Sequence, residues 1–519
     1  MPPGGSPCRL RPWRLAEAED HLAARQASPP VPGPGGAHPT SGVHRTPWQP
    51  GERVGDTPGH TLRSCPRPVA AAVVMPVSVG DLPTIGCRRG TRMSAMTCRP
   101  TRRSVLTAAV TAGLLLAPGG TAEADGRTLG GAPAAQATRT TAGHRKGRVQ
   151  LTLPAPTGRR RIGTTSLHLI DPSRRDPWTS PRSPRELMIS LWYPARHTHG
   201  HQHAPWLPPA AKALYRRQVS QQLQTSLDDV DFPATHAYEG ASVEARLHGH
   251  PVVLFSPGYR AERELCTALV EDLTSRGYVV VTIDHTYDSQ IVEFPGGRLE
   301  LGRQPARPTD DDIAMALQVR QDDTRFVLNE LAMLNAGRNP DAERRRLPRG
   351  LRGSLDLSKV GMFGHSLGGD TAGETMAEDR RILAGVNLDG SFNGAVATTG
   401  LDRPFLLMSN ADHGRANDPS WAEFWSHLRG WRLDLRLRAS GHQTYTDVSP
   451  LVQQLEKALP IPPEVVANMT TLIGTISADR AIAAERAYLG AFFDLHLRHH
   501  DNHLLSKPSS RYPDIEFVA

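Results

Sequence analysis

The segment Val360 to Gly369, V-G-M-F-G-H-S-L-G-G, leaves few folds open to the chain around it. A short apolar run (Val360, Met362, Phe363) stops at Gly364, and Ser366 then sits at the centre of G-x-S-x-G, between Gly364 and Gly368. Thr371 to Glu378 continues as a helix. Strand, tight turn and helix in that order form the elbow that lifts a nucleophilic serine out of a sheet. The dihedrals of such a turn are strained, and a side chain two residues before or after the serine would strike neighbouring backbone, which accounts for both glycines. The helix aims its N-terminus back at Ser366. Leu367 N–H and the helix dipole therefore face the place where an oxyanion would form.

The first quarter of the 519 residues reads differently from the rest. Met1 to Arg92 is rich in Pro, Gly, Arg and Ala and has little apolar periodicity, too little to offset the entropy of ordering. Residues 1–92 read as disordered, or as upstream sequence translated from a start placed too early. Residues 93–124 have the layout of an export signal: a basic start, an apolar run from Val105 to Ala117, and Ala122-Glu123-Ala124 as a small-x-small cleavage site. Thr101-Arg102-Arg103-Ser104-Val105-Leu106 resembles a twin-arginine signal, so Met93 or Met96 is the expected start and the mature protein is expected to be secreted. The apolar run, about 13 residues, is too short to cross a bilayer as a helix, and no transmembrane segment is expected in the mature chain. Before residue 125 lie 14 arginines, no lysine and 7 acidic residues, so all but +1 of the formal net charge of +8 belongs there. That charge is no argument for a nucleic-acid partner. Cys266 is the one cysteine beyond residue 125, so the mature chain has no internal disulfide.

Residues 125–148 form a small-residue lead-in expected to be flexible, and residues 149–519 a single domain. Three strands are predicted first: Val149 to Leu153, Thr165 to Ile170 and Glu186 to Tyr193, an antiparallel entry to a sheet. His197, His199, His201 and His203 alternate in a polar loop; without carboxylate or cysteine partners they read as solvated, not as a metal site. Strands and helices then alternate: Pro251 to Phe255, a helix Glu262 to Arg276, Tyr278 to Ile283, a long helix Asp311 to Leu334, and the elbow strand. Ala384 to Leu388, Phe405 to Met408, Leu433 to Leu437 and a C-terminal helix Ala478 to Leu497 follow. This predicts an α/β fold with a mostly parallel central sheet, helices on both faces, and an insertion near Ala204 to Glu239.

A serine hydroxyl needs a histidine base, and the base an orienting carboxylate. Where an elbow serine follows a sheet strand, the chain order is serine, acid, histidine. His442 fits the base, in the loop Ala439-Ser440-Gly441-His442-Gln443 after a strand. Two acids compete: Asp389 after Ala384 to Leu388, and Asp412 after Phe405 to Met408. Spacing alone does not choose between them.

The chain resembles the secreted platelet-activating-factor acetylhydrolase and bacterial lipase branch of the α/β-hydrolases. The matching residues are Trp192-Tyr193-Pro194, Phe255-Ser256-Pro257-Gly258-Tyr259, Gly277-Tyr278-Val279-Val280 and Asp284-His285. Arg320, Asp323, Phe326 and Leu328 on the long helix, Gly364 to Gly369, Leu388-Asp389 and His442-Gln443 complete the set, over most of residues 160 to 500. The resemblance implies Asp389 as the acid, with Asp412 the alternative, and the backbone N–H groups of Leu367 and Tyr259 as oxyanion donors. Pro257 departs from the histidine of the animal enzymes, which leaves those backbone donors in place and bears on substrate preference.

The resemblance further implies a serine hydrolase of lipid esters with short or oxidised acyl groups, working through an acyl-enzyme without metal or cofactor. Rival readings are a broad lipase, esterase or polyester hydrolase, and a non-catalytic binding protein on the same fold. Trp206, Leu207, Leu214 and Tyr215 suggest either an amphipathic flap that touches lipid aggregates or an ordinary packed helix.

Overall fold

The computed structural model describes residues 147–179 and 183–519. The expectations for the 1–92 extension, the 93–124 signal and all but the end of the 125–148 lead-in lie outside the described residues. Twelve strands, numbered here in chain order, make one sheet: β1 Arg161–Arg175, β2 Pro184–His197, β3 His203–Pro205, β4 Ala234–Glu239, β5 Ser242–Val243 and β6 His250–Ser256. The others are β7 Val279–Asp284, β8 Leu355–His365, β9 Ile382–Leu388, β10 Phe405–Ser409, β11 Arg432–Leu437 and β12 Ile515–Phe517. Their order is β12-β11-β10-β9-β8-β6-β7-β2-β1-β4-β3, with β5 pairing on β2.

From β7 to β11 neighbouring strands are parallel. These strands are short, continuous apolar runs because both sheet faces are covered. The antiparallel entry is the long hairpin β1–β2, with β2 also antiparallel to β7. This is the α/β-hydrolase architecture. One predicted strand is displaced: only Val149–Gln150 pairs, in parallel with Val230–Asp231 and outside the main sheet, while Leu151 and Leu153 are buried against Trp206 and Leu451.

The main helices are α1 Pro209–Gln222, α2 Thr267–Ser275, α3 Asp310–Asn335, α4 Leu367–Glu378, α5 Pro419–His427, α6 Val448–Ala458, α7 Pro463–Ile473 and α8 Ala478–Arg498. One face of the sheet packs on α3 and α4 through Val327, Leu328, Leu331, Ala372 and Met376. The other packs on α2 and α8 through Leu269, Leu273, Tyr488 and Phe493. α3 starts where it does because Thr309 and Asp312 form a capping box, ahead of a buried stripe at Ile313, Leu317, Arg320 and Thr324. α2 is shorter than its apolar spacing predicts; Glu262 to Cys266 form turns whose side chains are buried.

The insertion carries α1, whose Ala211, Tyr215 and Val219 face inward. Trp206 and Leu207 are buried as well, and Trp206 Nε1 donates to Asp447 Oδ2 at 2.9 Å. α1 is thus a helix packed on the domain, with Tyr215 turned away from solvent. Among the described residues no helix is long and apolar enough to cross a membrane.

Candidate active site

The carboxyl ends of the parallel strands carry the residues of interest. β8 runs straight into α4, and Ser366 between them has φ 54° and ψ −126°, outside the regions an L-residue ordinarily occupies. The turn holds because Ser366 N–H donates to Leu388 O at 2.8 Å and because its flanks are bare. A Cβ on Gly364 would overlap the Gly368 backbone, and one on Gly368 the Ser256 carbonyl. Four of the other non-glycine residues with positive φ follow neighbouring strands: Arg260 after β6, Tyr287 after β7, Asp389 after β9 and Ala439 after β11. Strain of this kind concentrates where backbone must aim a group.

Asp389 is the next residue after β9, one position beyond the Leu388 carbonyl that anchors Ser366. Its carboxylate is buried and accepts four hydrogen bonds. Oδ2 takes His442 Nδ1 at 2.6 Å and Asn410 Nδ2 at 2.6 Å; Oδ1 takes Asn410 N at 2.8 Å and His413 Nδ1 at 2.9 Å. Burial alone would raise this carboxyl, but the bonds from His413 and His442 outweigh it and hold the group well below the usual carboxylate range. Asp412, the alternative acid, is exposed; its N–H donates to Asn410 Oδ1, and its carboxylate makes no contact with His442.

His442 opens a short 3₁₀ turn after β11. Its ring lies 4.6 Å from that of His365, and its carbonyl meets His365 Nε2 at 2.9 Å, so the histidine sits beside the residue that precedes Ser366. Desolvation, reinforced by the adjoining His442, pushes His365 down to about 3 and keeps it neutral. With Nδ1 donating to Asp389, His442 Nε2 carries the lone pair. That nitrogen is buried and has no partner among the described residues, and Ser366 Oγ makes no hydrogen bond there either. The serine–histidine contact of such a site tightens in the substrate complex. Leu367 N–H, at the first position of α4, and Tyr259 N–H, in the loop after β6, likewise donate to no other described residue. The side chains of Leu367 and Tyr259 pack with Ile313, Ala316 and Leu317 of α3, and Trp178 lies against them, forming an apolar wall.

Asn410 and His413 belong to the site and were not singled out in the sequence. His413 bridges two carboxylates, with Nδ1 at 2.9 Å from Asp389 and Nε2 at 2.9 Å from Asp418. Both nitrogens face acceptors, so the ring is an imidazolium. Burial works against that charge, but the bonds to Asp389 and Asp418 push it up to about 10. A signal was present, since both residues flank Asp412 in Ser409-Asn410-Ala411-Asp412-His413, but only the folded loop shows what they hold. No cluster of three or more potential metal ligands occurs among the described residues.

A family profile described as "Platelet-activating factor acetylhydrolase, isoform II" matches residues 150–506. The chain is 30% identical over 389 residues to a probable 1-alkyl-2-acetylglycerophosphocholine esterase of Arthroderma benhamiae, covering 70% of this chain and 93% of that one. It is 28% identical over 271 residues to the platelet-activating factor acetylhydrolase of Canis lupus familiaris, covering 48% of this chain and 57% of that one. A solved structure, a ferulic acid esterase from Streptomyces cinnamoneus, superposes with a TM-score of 0.59 at 37% identity, over 71% of this chain and 99% of that one. The chain therefore belongs to the platelet-activating factor acetylhydrolase, isoform II, family and is a carboxylic ester hydrolase of the α/β-hydrolase fold.

Proposed function

We propose that Ser366, His442 and Asp389 are the catalytic triad and that the ester is cleaved through an acyl-enzyme. The observation that carries this reading is the His442 Nδ1–Asp389 Oδ2 bond of 2.6 Å beside a strained Ser366, with His442 Nε2 buried and unpartnered. His442 takes the Ser366 proton as Oγ attacks the ester carbonyl. Leu367 and Tyr259 N–H groups hold the tetrahedral oxyanion. His442 returns the proton to the leaving alcohol, then activates the water that frees the acid. Asp389 keeps the Nδ1–H tautomer and stabilises the imidazolium without itself taking the proton.

The substrate proposed is a lipid ester with a short acyl group, in the manner of the relatives named as acting on acetylglycerophosphocholines, and contact with lipid aggregates is part of that proposal. The export reading rests on the 93–124 signal and on nothing in the fold. A second reading, an ester of an aromatic acid, is favoured by the 37% identity to a ferulic acid esterase over 99% of its length. Comparing the full chain and Ser366→Ala on an acetyl glycerophospholipid and on methyl ferulate tests both. Turnover of the phospholipid, lost in Ser366→Ala, supports the first reading; turnover of methyl ferulate alone supports the second. Ser366→Ala turning over either ester at the wild-type rate would exclude the triad.

A further inference from the structure

Tyr259 sits in a loop that is held from behind by one arginine of α3. Arg320 is fully buried, and its guanidinium spends its donors on that loop and on one acid. Nη1 donates to Pro257 O at 2.5 Å and, more weakly, to Ser256 Oγ at 3.3 Å. Nη2 donates to Gly258 O at 2.9 Å. Nε is held by Asp288 Oδ2 at 2.6 Å, and Asp288 Oδ1 accepts the N–H of Arg260 at 3.0 Å. The carbonyls of 257 and 258 and the amide of 260 are therefore held by one Arg320–Asp288 pair, with Ala261 N–H as a second donor to Gly258 O at 3.1 Å. Tyr259 N–H, like Gly258 N–H, donates to no described residue, whereas the amides of Arg260 and Ala261 are bonded.

A trans peptide sets its C=O and N–H on opposite sides of one plane. Drawing the Gly258 carbonyl towards Arg320 turns the Tyr259 N–H of the same peptide the other way. The loop lies hard against the nucleophile: a Cβ on Gly258 would stand 3.3 Å from Ser366 Cβ and 3.2 Å from His365 Nδ1. A charged donor on the carbonyl also polarises the amide, which makes its N–H a stronger donor to a developing oxyanion. The requirement for arginine is geometric. A lysine at this depth reaches one carbonyl at a time, whereas the planar fork spans two consecutive ones and still engages Asp288 through Nε.

We infer that Arg320, anchored by Asp288, is a positioning residue for catalysis: it aims and strengthens the Tyr259 N–H through the Gly258 carbonyl without touching substrate. The inference rests on Tyr259 N–H being an oxyanion donor, as proposed above.

The test compares the full chain with Arg320→Gln, Arg320→Lys and Ser366→Ala. Four readouts are taken: kcat and KM on p-nitrophenyl acetate, affinity for an alkyl trifluoromethyl ketone that adds Ser366 Oγ to give an oxyanion, affinity for the matching alcohol that does not, and the thermal midpoint. Arg320→Gln is expected to lose on the order of 10²–10³ in kcat, the cost of one oxyanion donor. Its KM stays within about threefold, the pattern of an interaction made only in the transition state. Ketone affinity falls with kcat and alcohol affinity does not. Arg320→Lys recovers roughly tenfold over Arg320→Gln, because one charged donor returns.

A folded Arg320→Gln with wild-type kcat, beside an inactive Ser366→Ala, overturns this inference alone. An active Ser366→Ala overturns the triad reading beneath it. Equal losses in ketone and alcohol affinity, with a lowered thermal midpoint, show a purely structural arginine and also overturn it. Should Arg320→Gln fail to fold, Asp288→Asn keeps an acceptor for Arg260 N–H while removing the anchoring charge. It is expected to show the same ketone–alcohol split at smaller amplitude, and no split overturns the inference.

Discussion

Among the described residues lie two Ser–His–Asp constellations, and comparing them shows what makes one a candidate for chemistry. Ser256 Oγ lies 3.0 Å from His285 Nε2, and His285 Nδ1 lies 3.0 Å from Asp323 Oδ2. On distances alone that set is the better formed of the two. Yet all three side chains are closed to solvent, and every polar atom among them has a partner. Ser256 also receives Arg320, and Asp323 receives Arg185 and Arg174. Burial lowers His285 and keeps it neutral, while Arg185 and His285 hold Asp323 ionised against its own desolvation. Ser366, His442 and Asp389 differ on each count. The serine is strained, the histidine is partly exposed with a free nitrogen, and two amides near the serine are unbonded. A complete network braces; an incomplete one is ready for substrate.

The comparison is broken or sharpened most strongly by serine replacement. Ser366→Ala should lower kcat by on the order of 10⁶, the loss found when the nucleophile of a triad is removed. Ser256→Ala should instead lower stability by about 1–3 kcal/mol, because it leaves His285 Nε2 buried and unpaired. Its kcat should stay within an order of magnitude of wild type. Equal activity losses from the two changes would erase the distinction.

The acid comes next. Asp389→Asn should cost on the order of 10⁴ in kcat, since the amide favours the wrong His442 tautomer. Asp412→Asn, on an exposed carboxylate, should leave ester hydrolysis unchanged. A large loss in Asp412→Asn would reverse the assignment.

The last prediction concerns the pH dependence of stability, at His413. Its folded-state value is raised from the ordinary 6.5 to about 10, so its ion pairs contribute fully below pH 6.5 and fade as pH rises through about 10. Thermal unfolding of wild type and His413→Gln should therefore differ most near pH 6 and converge towards pH 10. A difference that ignores pH would mean that the ring is held neutral.

Much of this was legible in the sequence, for identifiable reasons. The parallel strands are apolar runs bounded by turn residues, and a strand covered on both faces must read that way. Ser366 and His442 followed from chain order and from glycines that only an elbow requires. Val149 to Leu153 misled because alternation reports burial, not pairing: Leu151 and Leu153 are buried, but under α6 and Trp206 and not in the sheet. Ile515–Phe517 is too short to announce itself, and α6 and α7 were not singled out. Asp389 and Asp412 were equivalent in chain position, each an aspartate just past a strand, and only the family resemblance favoured Asp389. They are separated by the +62° turn at Asp389 that brings its carboxylate to a histidine 53 residues away. Arg320 and the loop it holds stand 62 and 63 residues apart in the chain, a relation that only the packing of α3 against the loop after β6 creates.

The most direct test of the account is where the covalent bond forms. The full chain would be treated with a fluorophosphonate that labels activated serines, digested, and mapped by mass spectrometry alongside Ser366→Ala. The account predicts one modified serine, Ser366, with hydrolysis lost in step with labelling and no label on Ser366→Ala. Label on Ser256, or hydrolysis that persists once Ser366 is fully modified, would contradict it.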